Sequence, residues 1–211
     1  MSTIISTGQP ILDSLARPLR DLRISVTDRC NFRCVYCMPR EVFGPGYAFV
    51  PREDLLTLEE IARIARVFAA IGMRKVRITG GEPLIRRNLE HLIEMIDAMD
   101  EVDDISLTTN GSMLSPGRAV DLRKSGLKRL TISLDALDDP TFKRINDVDY
   151  PVSRVLDGIE HARAAGFSGT KINVVVRRGF NQHAVLDLVK HFRHTDCIVR
   201  FIEYMDVGET N

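Results

Sequence analysis

The chain has 211 residues, of which 44% are hydrophobic and 27% charged, values typical of a folded globular protein. Its 29 basic and 29 acidic side chains cancel, so the net charge gives no reason to expect nucleic acid or an anionic membrane as a partner. No apolar run approaches the roughly 20 residues of a membrane span, and the first residues lack a signal-peptide core. We therefore expect a cytoplasmic protein.

Short β-rich runs alternate with segments of helical periodicity along the chain. Strands are predicted at 22–27, 75–79, 105–109, 129–135, 171–176 and 198–204. Helices are predicted at 57–72, 87–98, 116–125, 139–145, 152–165 and 181–194. The first helix begins with a capping box formed by Thr57 and Glu60. This alternation indicates stacked βα units and a parallel sheet.

The predicted strands carry polar residues at alternate positions, although helix-covered parallel strands are normally apolar on both faces. Five of these side chains are cations, namely Arg23, Lys75, Arg77, Lys171 and Arg200. Carboxylates on the same face are few, Asp135 and Glu203, so ion pairs would not neutralise all five cations. We interpret the face as the chamber of a partial (β/α)6 TIM-like barrel, open on one side, which binds an anion such as a phosphate. Solvent-exposed strand sides are the alternative.

Three of the four cysteines lie in the segment DRCNFRCVYCMP, directly after the first strand. Clustered cysteines in a reducing compartment indicate metal or redox chemistry rather than disulfides. Cys30, Cys34 and Cys37 are one ligand short of a closed zinc site, but three thiolates can hold a 4Fe-4S cluster with one iron open to a small molecule. Structural zinc with a distant fourth ligand is the alternative. Cys197 is expected to be a buried thiol at a strand start.

The spacing C-x3-C-x2-C with Tyr36 before the last cysteine, followed by TGGEP at 79–83, resembles the radical S-adenosylmethionine (SAM) superfamily. Within it, the segments KVRITGGEPLIRR, LTTNG, ISLDALD, KINVVV and RFIEYMDVG resemble the molybdenum-cofactor biosynthesis protein A (MoaA) family, the GTP 3′,8-cyclases. The resemblance runs in order from about residue 11 to the last residue. It implies a lyase that cleaves SAM, abstracts hydrogen from C3′ of GTP and closes a ring onto C8.

The resemblance also implies a role for particular residues. The cluster ligands would be Cys30, Cys34 and Cys37. The contacts to SAM would be Tyr36, against the adenine, and Gly81, Ser133 and Met205. The contacts to GTP would be Arg23, Arg77, Thr108 and Lys171, with Lys75 and Arg200 also lining the site. No catalytic residue is expected beyond the cluster and SAM.

For two residues, Glu82 and Met205, the sequence allows two interpretations each. Glu82 is expected either to meet the SAM amino group or to pair with a nearby arginine. Met205 and Arg200 differ in strand parity, so either a bulge separates them or Met205 lies beyond the end of the strand.

The family's C-terminal region, with a second three-cysteine cluster, has no counterpart in the sequence. We therefore expect residues 1–211 to form one radical SAM core domain that binds the first cluster and SAM but does not complete the cyclisation alone, and that exposes apolar surface on its open side. The expected partners are GTP, SAM, an electron-donor protein and a second copy in a homodimer, with no nucleic acid and no membrane. The alternatives are another radical SAM enzyme, such as a peptide maturase, or a non-catalytic iron–sulfur or zinc-binding module.

Overall fold

The structure, a computed structural model, describes residues 11–205. The strands are β1 (Asp21–Ser25), β2 (Lys75–Thr79), β3 (Asp104–Thr109), β4 (Arg129–Ser133), β5 (Lys171–Val176) and β6 (Ile198–Glu203). The helices are α1 (Leu58–Ala70), α2 (Leu89–Asp97), α3 (Pro116–Lys124), α4 (Asp139–Asn146), α5 (Val152–Ala164) and α6 (Val185–Phe192). Every predicted element is present, with boundaries displaced by a few residues.

The six strands form one parallel sheet in the order β1-β2-β3-β4-β5-β6. Each strand pairs with the next one along the chain, and β1 does not pair with β6, so the sheet is not closed into a barrel. Helices connect the strands throughout, and two of them, α4 and α5, lie between β4 and β5. The predicted α/β fold, a partial (β/α)6 barrel open on one side, is confirmed.

The two faces of the sheet differ in polarity, because the side chains of each strand alternate between them. The face beneath the helices is mainly apolar, and its centre, on the inner strands β2 to β5, is buried; it includes Val76, Ile78, Leu107, Ile132 and Ile172. The other face carries the polar side chains that strand parity predicts. Most of these are exposed or half-buried, whereas Thr27, Thr79 and Asp135, at or just beyond the carboxyl ends of their strands, are buried. Helices therefore cover only one of the two faces of this parallel sheet.

The start of α1 follows the sequence pattern. Thr57 Oγ1 accepts a hydrogen bond from the Glu60 backbone N–H, and the Glu60 carboxylate accepts one from the Thr57 N–H, which satisfies two amides at the helix end. Ile61, Ala65 and Ala69 form the buried stripe that fixes α1 against the sheet. Among residues 11–205, no helix combines the length and the apolar composition that a bilayer span requires.

Candidate active site

The cysteine loop follows β1 at the carboxyl edge of the sheet, where loops carry the chemistry of parallel barrels. All three of its thiols are free, and they line one cavity of about 300 Å³. The Gly80–Gly81 turn after β2 forms another part of the cavity wall. The topology therefore brings together the two motifs that the sequence separates by some forty positions, Cys37 and Gly80.

The end of α4 fastens the cysteine loop to the fold. The backbone N–H groups of Arg33 and Val35 donate to the carbonyls of Asn146 and Ile145, each at 2.9 Å. These carbonyls have no partner within the helix, because the last turn of any helix leaves its carbonyls free. The loop thus satisfies the end of α4, and α4 fixes the position of Cys34.

The thiols are poor acids while the loop holds no metal. Burial raises the pKa of Cys30 and Cys37, and it raises that of Cys34 well above its ordinary value, with the neighbouring Asp135 carboxylate adding to the effect. Metal binding must therefore displace protons from these sulfur atoms. Around Cys30, the backbone N–H of Phe32 and the side-chain amide of Asn110 lie 3.4 and 3.9 Å from Sγ.

The two glycines after β2 are needed because the chain crosses itself there. The Gly81 N–H donates to the Thr27 carbonyl at 2.7 Å, and a Cβ atom at Gly81 would lie 2.2 Å from the Arg29 carbonyl oxygen. At Gly80, the nearest atom to such a Cβ is the Thr27 carbonyl oxygen, at 2.7 Å. The close approach is thus to the cysteine loop itself, in addition to the cavity that both glycines line.

Glu82 does not pair with an arginine. Its carboxylate is fully buried and accepts hydrogen bonds from the Leu84 N–H, the Asn110 N–H and the Thr109 hydroxyl. Burial raises its pKa, and these three donors oppose the rise. Glu82 therefore joins the loop after β2 to the loop after β3, and the prediction that it pairs with an arginine is wrong.

Tyr36 is held by a carboxylate that follows β4. Its hydroxyl donates to Asp135 at 2.7 Å, and the Val175 backbone N–H donates to the other carboxylate oxygen, also at 2.7 Å. Burial raises the pKa of Asp135 to about 6, although both hydrogen bonds lower it. The bond fixes the position of the Tyr36 hydroxyl, and with it the end of a ring that lies near the thiols of Cys34 and Cys37.

The polar face of the sheet holds more carboxylates than the sequence analysis predicts. Asp21 lies on it and pairs with Arg77 at 2.8 Å, and Asp104 pairs with Arg129. Glu203 lies opposite Val176 and hence on the other face, because Asn173 pairs with Arg200 three residues earlier. The expectation of five unpaired cations is therefore wrong for Arg77, and the placement of Glu203 on this face is wrong as well.

A cluster of positive charge nevertheless surrounds Lys171. Burial lowers the pKa of this ammonium group, and the nearby guanidinium groups of Arg129, Arg200 and Arg77 lower it further. The strand register explains the convergence. Arg77 and Arg129 both lie opposite Ser106, in the row next to that of Lys171, and Arg200 lies opposite Asn173 in the row on its other side. An anion placed among these groups would relieve their mutual repulsion.

The other residues singled out in the sequence lie on the same face or at its edges. Arg23 is opposite Arg77 on the edge strand β1, and Lys75 is exposed at the start of β2. Ser133, the last residue of β4, is opposite Asn173, whose buried Oδ1 has no partner within residues 11–205. Met205 is 64% exposed and lies two residues past the end of β6, so it is beyond the strand and no bulge is involved.

A family model described as the Radical SAM superfamily matches residues 24–192, which include the cysteine loop, the end of β1 and the whole of β2 to β5. The chain belongs to the radical SAM superfamily. Its cofactors are accordingly a 4Fe-4S cluster and SAM, as the three-thiol loop indicates. The alternative of a non-catalytic zinc module rested on this same cysteine loop. Because the family match includes the loop, that alternative loses its main support.

Curated relatives of this radical SAM chain are named GTP 3′,8-cyclase. It is 56% identical over 203 residues to that of Acidothermus cellulolyticus, covering 96% of this chain and 56% of the relative. It is 47% identical over 203 residues to that of Staphylococcus aureus strain Mu3, covering 96% of this chain and 59% of the relative. The chain therefore spans less than two thirds of the length of these relatives.

Solved structures with little sequence likeness share the radical SAM fold. Streptococcus suis SuiB bound to S-adenosylmethionine superimposes with a TM-score of 0.73 at 19% identity, over 90% of this chain and 42% of that one. HydG, a maturase of the FeFe hydrogenase, gives a TM-score of 0.70 at 13% identity, over 92% of this chain and 44% of that one. At these identities the likeness extends to the fold alone.

The residues around the cavity fit a cluster better than a single ion. Within the part of the chain that the structure describes, no three His, Cys, Asp or Glu side chains are arranged to hold one metal ion. A cubic cluster separates its cysteine ligands more widely than one ion does, and it needs sulfur donors, which this cavity supplies in Cys30, Cys34 and Cys37. Asp28, which also lines the cavity, keeps a buried carboxylate oxygen without a partner within residues 11–205.

Sequence reasoning missed four residues of this site: Asp21, Asp104, Arg129 and Asn146. Arg129 and Asp104 share the strand parity of Thr131 and Ser106, so the period-two pattern was the signal that could have found them. Asn146 lies 112 positions from its partner Cys34, and no local pattern indicates that contact. Asp135 was placed on the chamber face, but its contact with Tyr36, 99 positions away, has no sequence signal either.

Proposed function

We propose that this chain is the radical SAM core of a GTP 3′,8-cyclase of molybdenum-cofactor biosynthesis, a lyase. The observation that carries the proposal is the position of three thiols in one cavity beside a sheet face on which cations converge around Lys171. The names of the curated relatives and the identities of about one half support the choice of reaction. The proposed substrate is GTP, and SAM is the co-substrate.

In this proposal Cys30, Cys34 and Cys37 hold the cluster, whose open iron takes SAM. When bound, the cluster and SAM supply the one-electron chemistry that removes hydrogen from C3′ of GTP before the ring closes onto C8. The protein's own task is to bind, orient and exclude water. The fastening of the cysteine loop to α4 serves that task, since it fixes the sulfur atoms before any ligand arrives.

SAM would lie between the cysteine loop and the ends of β2, β4 and β6. Tyr36 would present to the adenine a ring that Asp135 holds in place. The backbone at Gly81 and the side chains of Ser133 and Met205 would contact the rest of the molecule. Asn173, opposite Ser133, adds an acceptor that has no partner among the described residues.

The triphosphate of GTP would bind on the polar face. Lys171 and Arg200 are the strongest candidates, because a cation that other cations surround gains most from an anion. Arg77 would contribute while it still contacts Asp21, and Arg23, Lys75 and Thr108 would line the same face of the sheet. Holding the phosphates fixes the position of the ribose relative to SAM, and orientation of this kind supplies much of an enzyme's rate.

The test is anaerobic reconstitution of the 211-residue protein with iron and sulfide, followed by SAM, a strong one-electron reductant and GTP. We expect methionine and 5′-deoxyadenosine to form, with no cyclic nucleotide from this chain alone. Cyclic product would contradict the expected incompetence of the isolated chain. Cluster-loaded protein that leaves SAM intact, or colourless protein with one bound zinc, would contradict the proposed function.

Substitution of the central cation tests the nucleotide site. Lys171→Ala is expected to weaken binding of GTP about tenfold, because a hydrogen bond to a charged group contributes on the order of 1.5 kcal/mol or more. Lys190→Ala, which removes an exposed ammonium group from α6, is the matched control and should leave binding unchanged. Equilibrium dialysis with labelled GTP measures both, and equal affinities in the two variants would count against this site.

The proposal also includes partners and location. One-electron reduction of the cluster requires an electron-donor protein, and a homodimer is expected. A cytoplasmic location agrees with four free cysteines, since cluster-binding thiols must stay reduced. Sedimentation analysis of the reconstituted protein tests the homodimer, and a monomer at all concentrations would exclude it.

A further inference from the structure

The last residue of α4, Asn146, presents a buried amide to one of the cysteine thiols. Its exposed fraction is 3%. Its Oδ1 accepts a hydrogen bond from Cys34 Sγ at 3.2 Å, while its Nδ2 is buried and has no partner among the described residues. A buried donor without a partner is costly and therefore uncommon in folded proteins.

The backbone holds Asn146 at this position independently of its side chain. Its carbonyl accepts from the Arg33 N–H, and the preceding carbonyl accepts from the Val35 N–H, on either side of Cys34 in the loop. Asp147, in the left-handed conformation with φ of 49°, ends the helix and binds Arg40 at 2.7 Å. The distance between the amide and the sulfur atom is thus set by main-chain contacts.

Ligation of iron by Cys34 would change what this amide can do. A cysteine ligand is a thiolate, so its sulfur has no proton to donate to Oδ1. A half-turn about the Cβ–Cγ bond exchanges the two amide atoms in nearly the same volume and brings Nδ2 to the sulfur. The turn gives the donor the partner that it lacks in the structure.

We propose that Asn146 donates an N–H···S hydrogen bond to the Cys34 thiolate of the cluster and thereby raises the cluster's reduction potential. The inference rests on the proposed role of Cys34 as a ligand. A donor near the sulfur stabilises the reduced cluster more than the oxidised one, because reduction adds negative charge, and hydrogen bonds to sulfur are a known determinant of such potentials. Asn146 acts through Cys34 and is therefore a positioning residue, not a catalytic one.

The first test compares reduction potentials by EPR-monitored titration of the reconstituted protein. Asn146→Leu keeps the side-chain volume but removes the donor, and it should favour the oxidised cluster about tenfold at a fixed potential, equivalent to about 59 mV for one electron. Asn110→Leu is the matched control, since that amide lies 3.9 Å from Cys30 Sγ, and its effect should be smaller. Full cluster content in Asn146→Leu with an unchanged potential would overturn the inference.

A second measurement does not depend on the stability of the leucine variant. In protein labelled with ¹⁵N-asparagine that carries Asn31→Ala and Asn110→Ala, Asn146 is the remaining labelled amide beside the thiols. Pulsed EPR of the reduced cluster should detect its ¹⁵N coupling, and absence of coupling in cluster-loaded protein would refute the hydrogen bond. Iron and sulfide analysis of the wild type separates this result from failure of the proposed function, in which no cluster would be held.

Discussion

Asp135 is the residue at which burial and function compete most directly. Its carboxylate is 3% exposed and is contacted by the Tyr36 hydroxyl and the Val175 N–H. Burial raises its pKa from 3.8 to about 6. Folding therefore disfavours the ionised form relative to the unfolded chain, but pH 7 lies above this pKa, so the carboxylate is the main form there and accepts from the Tyr36 hydroxyl.

Asp135→Asn should change how stability depends on pH. Because the folded pKa lies above the unfolded one, the stabilisation from this carboxyl group is fully present below about pH 4 and lost as the pH rises through 6. The asparagine side chain does not titrate. The free energy of unfolding of the variant, relative to that of the wild type, should therefore rise by about 2–3 kcal/mol from pH 4 to pH 7. Urea denaturation across this range measures the difference.

The control for that experiment is Asp138→Asn. Asp138 is exposed, caps α4 through the Thr141 N–H, and has a lowered pKa, so its substitution should leave the slope between pH 5 and pH 7 unchanged. Parallel stability curves for the wild type and Asp135→Asn would contradict the assignment of a raised pKa to Asp135.

Gly81→Ala should be strongly destabilising. The added Cβ would lie 2.2 Å from the Arg29 carbonyl oxygen, so either the turn after β2 or the cysteine loop must shift. We expect a loss of about 2 kcal/mol or more in the free energy of unfolding, in the range of backbone and overpacking effects. Gly117→Ala in α3 is the matched control, because its Cβ meets nothing within 4 Å and should be neutral or stabilising. Equal stability of the two variants in urea would contradict this account.

At the scale of elements, local patterns determine most of what the fold shows. The period-two strands, the helical stripes and the capping box of α1 are all predictable, since each depends on residues a few positions apart. The ion pairs of the polar face were missed because the predicted strands began at 22 and 105, one residue after Asp21 and Asp104. The contacts of Cys34 and Tyr36 were missed because their partners lie in distant elements.

Thr57→Ala tests the cap of α1. The hydroxyl accepts from the Glu60 N–H at 3.1 Å, and its loss should lower the free energy of unfolding by about 1 kcal/mol. Glu60→Gln is the matched control, because glutamine can still accept from the Thr57 N–H and completes the same motif. Thermal and urea unfolding measure both variants, and a threonine variant as stable as the wild type would count against the cap.

At the scale of the whole molecule, the open sheet leaves two edge strands. On the β6 side, apolar side chains are exposed, as the sequence analysis expected for an open barrel: Ile198 at 49% and Phe201 at 40%. A parallel edge strand with exposed apolar residues offers both unpaired backbone groups and hydrophobic surface. Such an edge favours association with another chain.

Phe201→Thr should therefore reduce self-association. Threonine keeps a high preference for β-structure while removing the aromatic surface from the edge. Light scattering over a concentration series should show a smaller mean mass for this variant than for the wild type. Leu186→Thr, which removes an apolar side chain that is 59% exposed on α6, is the matched control. An equal reduction of the mean mass in this control would show that self-association does not occur specifically through the β6 edge.

The bonds between α4 and the cysteine loop join main-chain atoms, so none of them involves the thiols or a group bound to the thiols. The position of the cysteine loop is thus set by contacts that do not depend on the cofactor. Oxygen damage that strips out the inorganic atoms would leave the three sulfur atoms close to their working positions. Repair would then require delivery of fresh iron and sulfide, with no need to refold the protein.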